Sequence, residues 1–166
     1  VALEHDGTEK WRSANTSQTS TCYAAAPALA DLEGDGDVEI VVGNVVLEHD
    51  GSIRFTGSGA HGWCASFPVD LFGDGEMEIV AGDILFSADG TTLWNSSISD
   101  GYPAVADFDM DGLPEIVVSN ASGVHLLNAL NGNVLWTVPG VGQGPPTVAD
   151  YDGDGLPEVG VAGTST

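Results

Sequence analysis

Four stretches of this sequence place acidic side chains at alternate positions, follow them with a glycine and then enter an apolar run. The last, ADYDGDGLPEVGVAG (residues 149–163), has Asp150, Asp152 and Asp154 at positions 1, 3 and 5 of a loop that ends at position 9 with Glu158. Carboxylates this close repel one another in water, whereas a hard divalent cation attracts all of them at once. The spacing therefore predicts a loop that wraps oxygen ligands around a metal ion.

The all-oxygen ligand set favours calcium over other metals. Calcium accepts about six to eight oxygens in flexible geometry, whereas magnesium needs a near-ideal octahedron and zinc prefers cysteine or histidine. An EF-hand is excluded, because that motif needs flanking helices and a bidentate acid at position 12 of its loop, roughly three residues beyond the last acid here. The alternative is a set of acidic surface turns, since Asp and Gly are common in turns. Repetition of the full pattern favours the metal.

We predict Ca²⁺ as the cofactor, in three well-formed sites and a fourth, between Asp70 and Glu78, that is weaker or empty. In that second loop Phe72 stands where an oxygen ligand is expected. Position 7 is expected to contribute its backbone carbonyl. The predicted metal ligands are Asp31, Glu33, Asp35, Asp37, Glu39, Asp70, Asp74, Glu78, Asp107, Asp109, Asp111, Leu113, Glu115, Asp150, Asp152, Asp154, Leu156 and Glu158.

The charge of the chain excludes several kinds of partner. The 166 residues carry 25 acidic and 3 basic side chains, a formal net charge of −22. Nucleic-acid binding and polybasic membrane contacts both depend on Lys and Arg, so neither is expected. A hydrophobic content of 42% argues against disorder, and no apolar run is long enough to insert into a membrane. The start at Val1 fits a mature or excised segment.

The acidic loops recur with a nearly constant period. Asp31, Asp70, Asp107 and Asp150 are separated by 39, 37 and 43 residues, and a period of about 40 indicates a propeller or solenoid. Between the loops runs a second motif, in LEHDGTEKW, LEHDGSIRF, LFSADGTTLW and LNALNGNVLW. Its Asp-Gly or Asn-Gly pair predicts a two-residue β-hairpin turn. Each repeat thus predicts four strands with the acidic loop between the first two.

The predicted fold class is all-β, a β-propeller of four-stranded blades with almost no helix. The chain opens with half a blade and closes with the other half, so the two ends can complete one blade together. The expected units are a half blade at 1–20, blades at 24–63, 65–98 and 103–138, and a half blade at 146–166. One aromatic closes each hairpin, and we expect these rings to pack between neighbouring blades, with ligand stacking as the alternative. They are Trp11, Phe55, Trp94 and Trp136.

The acidic loops followed by EIVVGN and EIVVSN resemble the FG-GAP or VCBS repeats of integrin-type β-propellers, over most of the chain. This resemblance implies a calcium loop between the first two strands of each blade, with Asp31, Glu33, Asp35 and Glu39 and their counterparts in the third and fourth loops as ligands. Position 9 is Glu in every loop here, whereas the family often has Asp. The hairpin LNALNGNVLW also resembles blades of quinone-cofactor propellers, which concerns packing and implies no cofactor.

Four repeats leave the size of the ring open. The chain can close as a small four-bladed ring, form one eight-bladed ring as a homodimer that exchanges halves, or be a piece of a longer polypeptide. Repeats of about 40 residues favour a segment or half-ring, because they suit wide rings.

The two cysteines and four histidines suggest secondary features. Cys22 and Cys64 lie about one repeat apart and are predicted to form a disulfide, in keeping with an oxidising exterior, with two buried thiols as the alternative. His5 and His49 occupy matching hairpin positions and are expected at exposed turns. The loop GSGAHGWCAS, with His61 and Trp63, is a candidate ligand contact or an irregular connection between blades. His125, in the strand GVHLLNA, is expected to be structural.

The leading functional hypothesis is a secreted or cell-surface binding or adhesion module, stabilised by calcium, that recognises a protein or glycan. No nucleophile elbow, phosphate loop or two-histidine zinc motif is present, so the protein is expected not to be an enzyme. The alternatives are a fragment of a propeller-type polysaccharide lyase or hydrolase and a spacer that binds nothing. Only Lys10, Arg12 and Arg54 can stabilise an anionic substrate, which disfavours the lyase.

Overall fold

The computed structural model describes residues 1–14, 26–59 and 65–163, and every regular element in these ranges is a β-strand. The described residues contain no apolar helix of membrane-spanning length. The strands are β1 (Ala2–Leu3), β2 (Glu9–Trp11), β3 (Ala28–Ala30), β4 (Glu39–Val42), β5 (Val45–Leu47), β6 (Ile53–Thr56), β7 (Ser66–Val69), β8 (Glu78–Ala81), β9 (Ile84–Ser87), β10 (Thr92–Asn95), β11 (Tyr102–Ala106), β12 (Glu115–Asn120), β13 (Gly123–Asn128), β14 (Val134–Pro139), β15 (Thr147–Ala149) and β16 (Glu158–Gly160).

The strands form three four-stranded antiparallel sheets flanked by two hairpins. The sheets β3–β6, β7–β10 and β11–β14 each follow chain order, and β1–β2 and β15–β16 form separate two-stranded sheets. The predicted all-β class and the four-stranded repeat are thereby confirmed. The two terminal hairpins do not pair with each other in the described ranges, so completion of one blade by the two ends of a single chain is not seen.

The hairpins between third and fourth strands use three-residue loops after β5 and β9 and a four-residue loop after β13, so the predicted two-residue turn is wrong. In the loop before β6, Gly51 N–H donates to Glu48 O at 2.9 Å and Glu48 N–H to Ser52 O at 2.9 Å. Gly51 has φ +86°, whereas Asp50 is not among the residues with positive φ. The Asp50 side chain instead accepts hydrogen bonds from Ser52, at 2.8 Å from N and 2.6 Å from Oγ. A turn that ends at a glycine in the left-handed region needs positive φ only at that glycine, whereas the predicted two-residue turn needs it at two residues.

Neighbouring sheets pack face to face through the apolar side chains of their central strands. One buried cluster joins the first and second four-stranded sheets around Val46, Ile79 and Phe86. A second joins the next pair around Leu85 and Ile116, and a third places Val117 against the last hairpin. Within the described residues, each four-stranded sheet thus packs against the next, and the chain is a series of similar units.

The hairpin aromatics pack between sheets as predicted in three of the four cases. The rings of Trp11, Phe55 and Trp94 cover the turn glycines of the following sheet, Gly51, Gly90 and Gly132, so closely that a Cβ there would lie 2.4 to 2.6 Å from a ring carbon. Two indoles also donate to the same turns, Trp11 Nε1 to His49 O at 3.0 Å and Trp94 Nε1 to Ala129 O at 2.7 Å. A glycine is therefore required at these turns both for its φ and for its missing side chain.

The first strands of successive units lie next to one another. Ala26 and Ala65, just before β3 and β7, form a parallel bridge, and β3 contacts β7 as β11 contacts β15. A cavity of about 430 Å³ lies between the first two four-stranded sheets, and another of about 330 Å³ is lined by the beginnings of first strands. The lining of the second cavity is Ala26, Ala65, Ser66, Phe67, Tyr102, Pro103 and Pro145. The beginnings of four successive first strands thus lie around one cavity. The acidic loops follow the opposite ends of these strands.

Candidate metal-binding loops

Each acidic loop joins the first strand of a unit to the second, where the sequence places it. The aspartate at position 1 organises the loop from within by accepting backbone hydrogen bonds from residues further along. In the fourth loop Asp150 Oδ1 accepts from Gly153 N at 2.6 Å and Asp150 Oδ2 from Gly155 N at 2.9 Å. The glycine at position 6 has φ between +90° and +95° in all four loops. The chain therefore wraps around the first carboxylate because the glycine permits the reversal.

The glutamate at position 9 begins the second strand and reaches back across the loop. In every unit its Oε2 accepts the N–H of position 2: Leu32 at 2.8 Å, Leu71 at 3.0 Å, Phe108 at 2.9 Å and Tyr151 at 2.7 Å. Glu115 is only 4% exposed, and burial raises the pKa of its carboxyl, as it does for Glu78. A buried carboxylate with one oxygen committed to the backbone gains from a cation at the other oxygen.

The third and fourth loops bring three carboxylates together. In the third, oxygens of Asp107, Asp109 and Glu115 all lie within 4.8 Å of one another, and in the fourth the same holds for Asp150, Asp152 and Glu158. These are positions 1, 3 and 9. Oxygens about 2.3–2.6 Å from one ion lie up to about 5 Å apart, so both sets fit calcium.

At position 5 the structure shows a backbone contact. Asp111 Oδ1 accepts from Leu113 N, and Asp154 Oδ1 from Leu156 N, each at 2.8 Å. Both aspartates keep a second oxygen, and ligation by them and by the carbonyls of Leu113 and Leu156 stays a prediction.

Among the described residues the first loop does not form such a cluster, and its position 3 acid, Glu33, pairs with a basic side chain. Arg54 Nη2 forms a short ion pair with Glu33 Oε1, and Arg54 Nη1 lies 3.4 Å from Glu48 Oε1. Asp37 Oδ2 lies 3.5 Å from His49 Nδ1. The predicted ligands Asp31, Glu33, Asp35, Asp37 and Glu39 therefore lie in one loop, but Glu33 points to a guanidinium.

The second loop is built around Phe72 in place of a carboxylate. This side chain packs against the core cluster that contains Leu85 and Trp94. Asp70 and Asp74 still accept the backbone hydrogen bonds of the turn, at 2.7 Å from Gly73 N and 3.0 Å from Glu76 N. A weaker or empty metal site at Asp70–Glu78 stays a prediction. Its physical reason is that Phe72 makes an apolar contact from the position where the other loops carry a carboxylate.

The remaining candidates from the sequence divide into two groups. His5 lies exposed in its hairpin turn, as does His49. His125 is buried, with Nδ1 2.9 Å from Thr137 Oγ1 and Nε2 3.0 Å from Ser122 Oγ, which fits a structural role. Cys22, Cys64, His61 and Trp63 lie outside the described residues, so the disulfide and the ligand contact stay predictions.

Arg54 lies beside the first loop and has no role that the sequence alone predicts. It lies on β6, with its side chain 17% exposed, and lines the larger cavity with Glu33, Glu78 and Asp89. The sequence feature that distinguishes Arg54 is its charge, because only 3 Lys or Arg residues occur in a chain of net charge −22.

The chain is similar to a known protein family in sequence and to solved structures in fold. The FG-GAP-like repeat family matches residues 107–161, the part that contains the third and fourth loops. No curated protein matches the sequence. Among solved structures, the V. cholerae biofilm matrix protein Bap1 is 29% identical, with a TM-score of 0.60 over 70% of this chain and 21% of that one. Rhamnogalacturonan lyase YesW is 20% identical, with a TM-score of 0.53 over 76% of this chain and 24% of that one.

These comparisons support the fold class of the chain and a family match over part of it. The chain is an all-β repeat protein of four-stranded antiparallel sheets, a fold that it shares with part of each neighbour. Residues 107–161 are an FG-GAP-like repeat, which confirms the resemblance to FG-GAP/VCBS repeats. The chain spans about a fifth to a quarter of the length of the two solved structures.

Proposed function

We propose that this protein is a calcium-stabilised β-propeller module that acts outside the cell and binds a protein or a glycan. The observation that carries the proposal is the convergence of Asp107, Asp109 and Glu115, repeated by Asp150, Asp152 and Glu158, in loops between the first two strands of successive units. The 29% identity to Bap1, a biofilm matrix protein, supports an extracellular role and an adhesive or polysaccharide-related one.

The stacking of the sheets supports the proposed propeller arrangement. First strands of successive units adjoin and share a cavity, while the faces of the sheets pack through their central strands. Four-stranded sheets that stack in this way around their first strands form the blades of a propeller.

The role proposed for calcium is structural. The carboxylates at positions 1, 3 and 9 would hold the ion, which supplies positive charge to a loop that otherwise gathers only negative oxygens. Asp107 and Asp150 orient the loop through its backbone N–H groups. Glu115 and Glu158 connect the loop to the strand that follows it. Binding to the folded state alone stabilises that state.

Thermal unfolding with calcium or with a chelator tests this role. At a calcium concentration about 100 times Kd each site adds about 2.7 kcal/mol, so two sites should raise Tm by roughly 10–20 °C for a chain of this size. Glu115→Gln should lose about half of this response, because it keeps an acceptor for Phe108 N but removes a charged ligand. Glu76→Gln, which changes an exposed acid outside the two carboxylate clusters, is the matched control. Equal melts with calcium and chelator would refute structural calcium.

One further experiment distinguishes a binding function from a catalytic one. The calcium-loaded protein is incubated with an array of neutral and acidic polysaccharides, and both retention and new reducing ends or unsaturated uronates are measured. Retention without new ends supports a binding module. Turnover would establish the alternative, a polysaccharide-active enzyme, and neither retention nor turnover would favour a protein ligand, to be tested with extracellular matrix proteins.

A further inference from the structure

We infer that Arg54 takes the place of a calcium ion at the first acidic loop, so that this chain binds calcium tightly at two loops and not at three. The inference deepens the proposed function and rests on it. Its basis is the difference between the first loop, where Glu33 pairs with Arg54, and the third and fourth, where the residue at position 3 joins the carboxylate cluster.

The position of the guanidinium explains why it competes with an ion. Arg54 pairs with Glu33 through Nη2 and lies 3.4 Å from Glu48 through Nη1. It also interacts electrostatically with Glu39, the position 9 acid of the same loop. A cation fixed on a strand thus binds one carboxylate that calcium would need, that of Glu33, and its charge also acts on Glu39. A guanidinium stays charged at every pH of interest, so its occupancy does not depend on proton loss.

The guanidinium of Arg54 also suits its partly buried position better than a calcium ion from solution would. Arg54 belongs to β6 of the same sheet, and its side chain is only 17% exposed. Because it is covalently attached, it adds no cost of capturing an ion from solution. The first unit therefore keeps its loop in order at low calcium, whereas the units that contain Glu115 and Glu158 depend on it.

The test counts calcium ions by isothermal titration with CaCl₂ and checks the number by equilibrium dialysis. The wild-type chain should bind two ions tightly. Glu33→Ala, at an exposed side chain with no backbone contact in the structure, should leave the number at two. Arg54→Gln should raise it to three, and the double variant Arg54→Gln/Glu33→Ala should return it to two.

The outcomes separate this inference from the proposed function. A wild-type chain that binds three ions and loses one in Glu33→Ala overturns the role of Arg54 but leaves structural calcium intact. An Arg54→Gln variant that still binds two ions overturns it as well. A wild-type chain that binds no calcium refutes the proposed function itself. Melting curves of each variant show that the numbers come from folded protein.

Discussion

At the scale of single residues, small side chains at turns decide how closely the sheets approach. Gly132 has φ +69°, and a Cβ at this position would lie 2.5 Å from Trp94 Cε3. The indole is held on its other side by the hydrogen bond to Ala129 O at 2.7 Å. The contact explains why the hairpin motif combines a glycine with an aromatic about one repeat earlier.

Gly132→Ala should therefore destabilise the protein for two reasons. The left-handed φ disfavours an alanine by about 1–2 kcal/mol, and the clash with the indole adds about 1–3 kcal/mol. Gly140→Ala is the matched control, because Gly140 has φ +72° and no described residue has an atom within 4 Å of its Cβ position. Urea unfolding of both variants measures the difference. Equal losses would show that the indole moves aside without cost.

A buried imidazole should make stability depend on pH. Burial lowers the pKa of His125, a residue that is 5% exposed and whose ring is hydrogen-bonded to Thr137 and Ser122. The folded state keeps the ring neutral, whereas the unfolded chain takes up a proton near pH 6.5. The contribution of His125 is thus complete above about pH 6.5 and is lost as the pH falls toward its folded pKa.

His125→Gln should accordingly flatten the loss of stability below pH 6.5. Wild-type unfolding free energies should fall more steeply between about pH 7 and pH 5 than those of the variant, by at most about 1.4 kcal/mol per pH unit. His5→Gln, at an exposed turn, should keep the wild-type slope. All three proteins carry the same carboxylates, so the difference between the slopes isolates the buried imidazole. Parallel slopes for wild type and His125→Gln would contradict the prediction.

At the scale of elements, the sequence was sufficient for the order of strands and the place of the loops. Alternating acids, a glycine and an apolar run fix a loop locally, and a period of about 40 residues fixes the unit. The hairpin type was predicted wrongly because Asp-Gly pairs serve both two-residue and three-residue loops. The ion pair of Glu33 with Arg54 could not be predicted, since it joins residues 21 apart through the register of β5 and β6.

In the second loop an apolar side chain stands at the position of a metal ligand and packs into the core instead. Phe72 contributes to the core cluster around Trp94, while Asp70, Asp74 and Glu78 keep the positions of ligands in the other loops. Phe72→Asp should lower Tm without calcium, because it removes the aromatic contact and adds a like charge.

The same substitution should enlarge the rise in Tm on adding calcium, because it completes the set of acids at positions 1, 3, 5 and 9. Phe72→Ala is the control for lost packing, and it should lower Tm without enlarging the response to calcium. Differential scanning calorimetry with calcium and with chelator measures both quantities. A calcium response in Phe72→Asp no larger than in Phe72→Ala would show that the backbone of this loop cannot hold the ion.

At the scale of the whole molecule, repulsion among acids opposes the stacking of the sheets. The formal charge is −22, and the acids are gathered in loops that leave the same end of successive first strands. Two bound calcium ions would reduce the charge to −18, and they would act where the carboxylates are closest. The rest of the repulsion is spread over the surface, where dissolved salt screens it within about 10 Å at 0.1 M.

Sodium chloride should therefore stabilise the calcium-free protein more than the calcium-loaded one. Raising the salt from about 0.01 M to about 0.5 M shortens the screening length severalfold and weakens repulsion between neighbouring loops. In the loaded protein the strongest of these repulsions is already balanced by the ions, so less remains to be screened. Melts at several salt concentrations, with a chelator or with saturating calcium, give the two slopes of Tm against ionic strength. Equal slopes would mean that the loops contribute little to the repulsion, and that calcium stabilises the sheets by ordering the loop backbone instead.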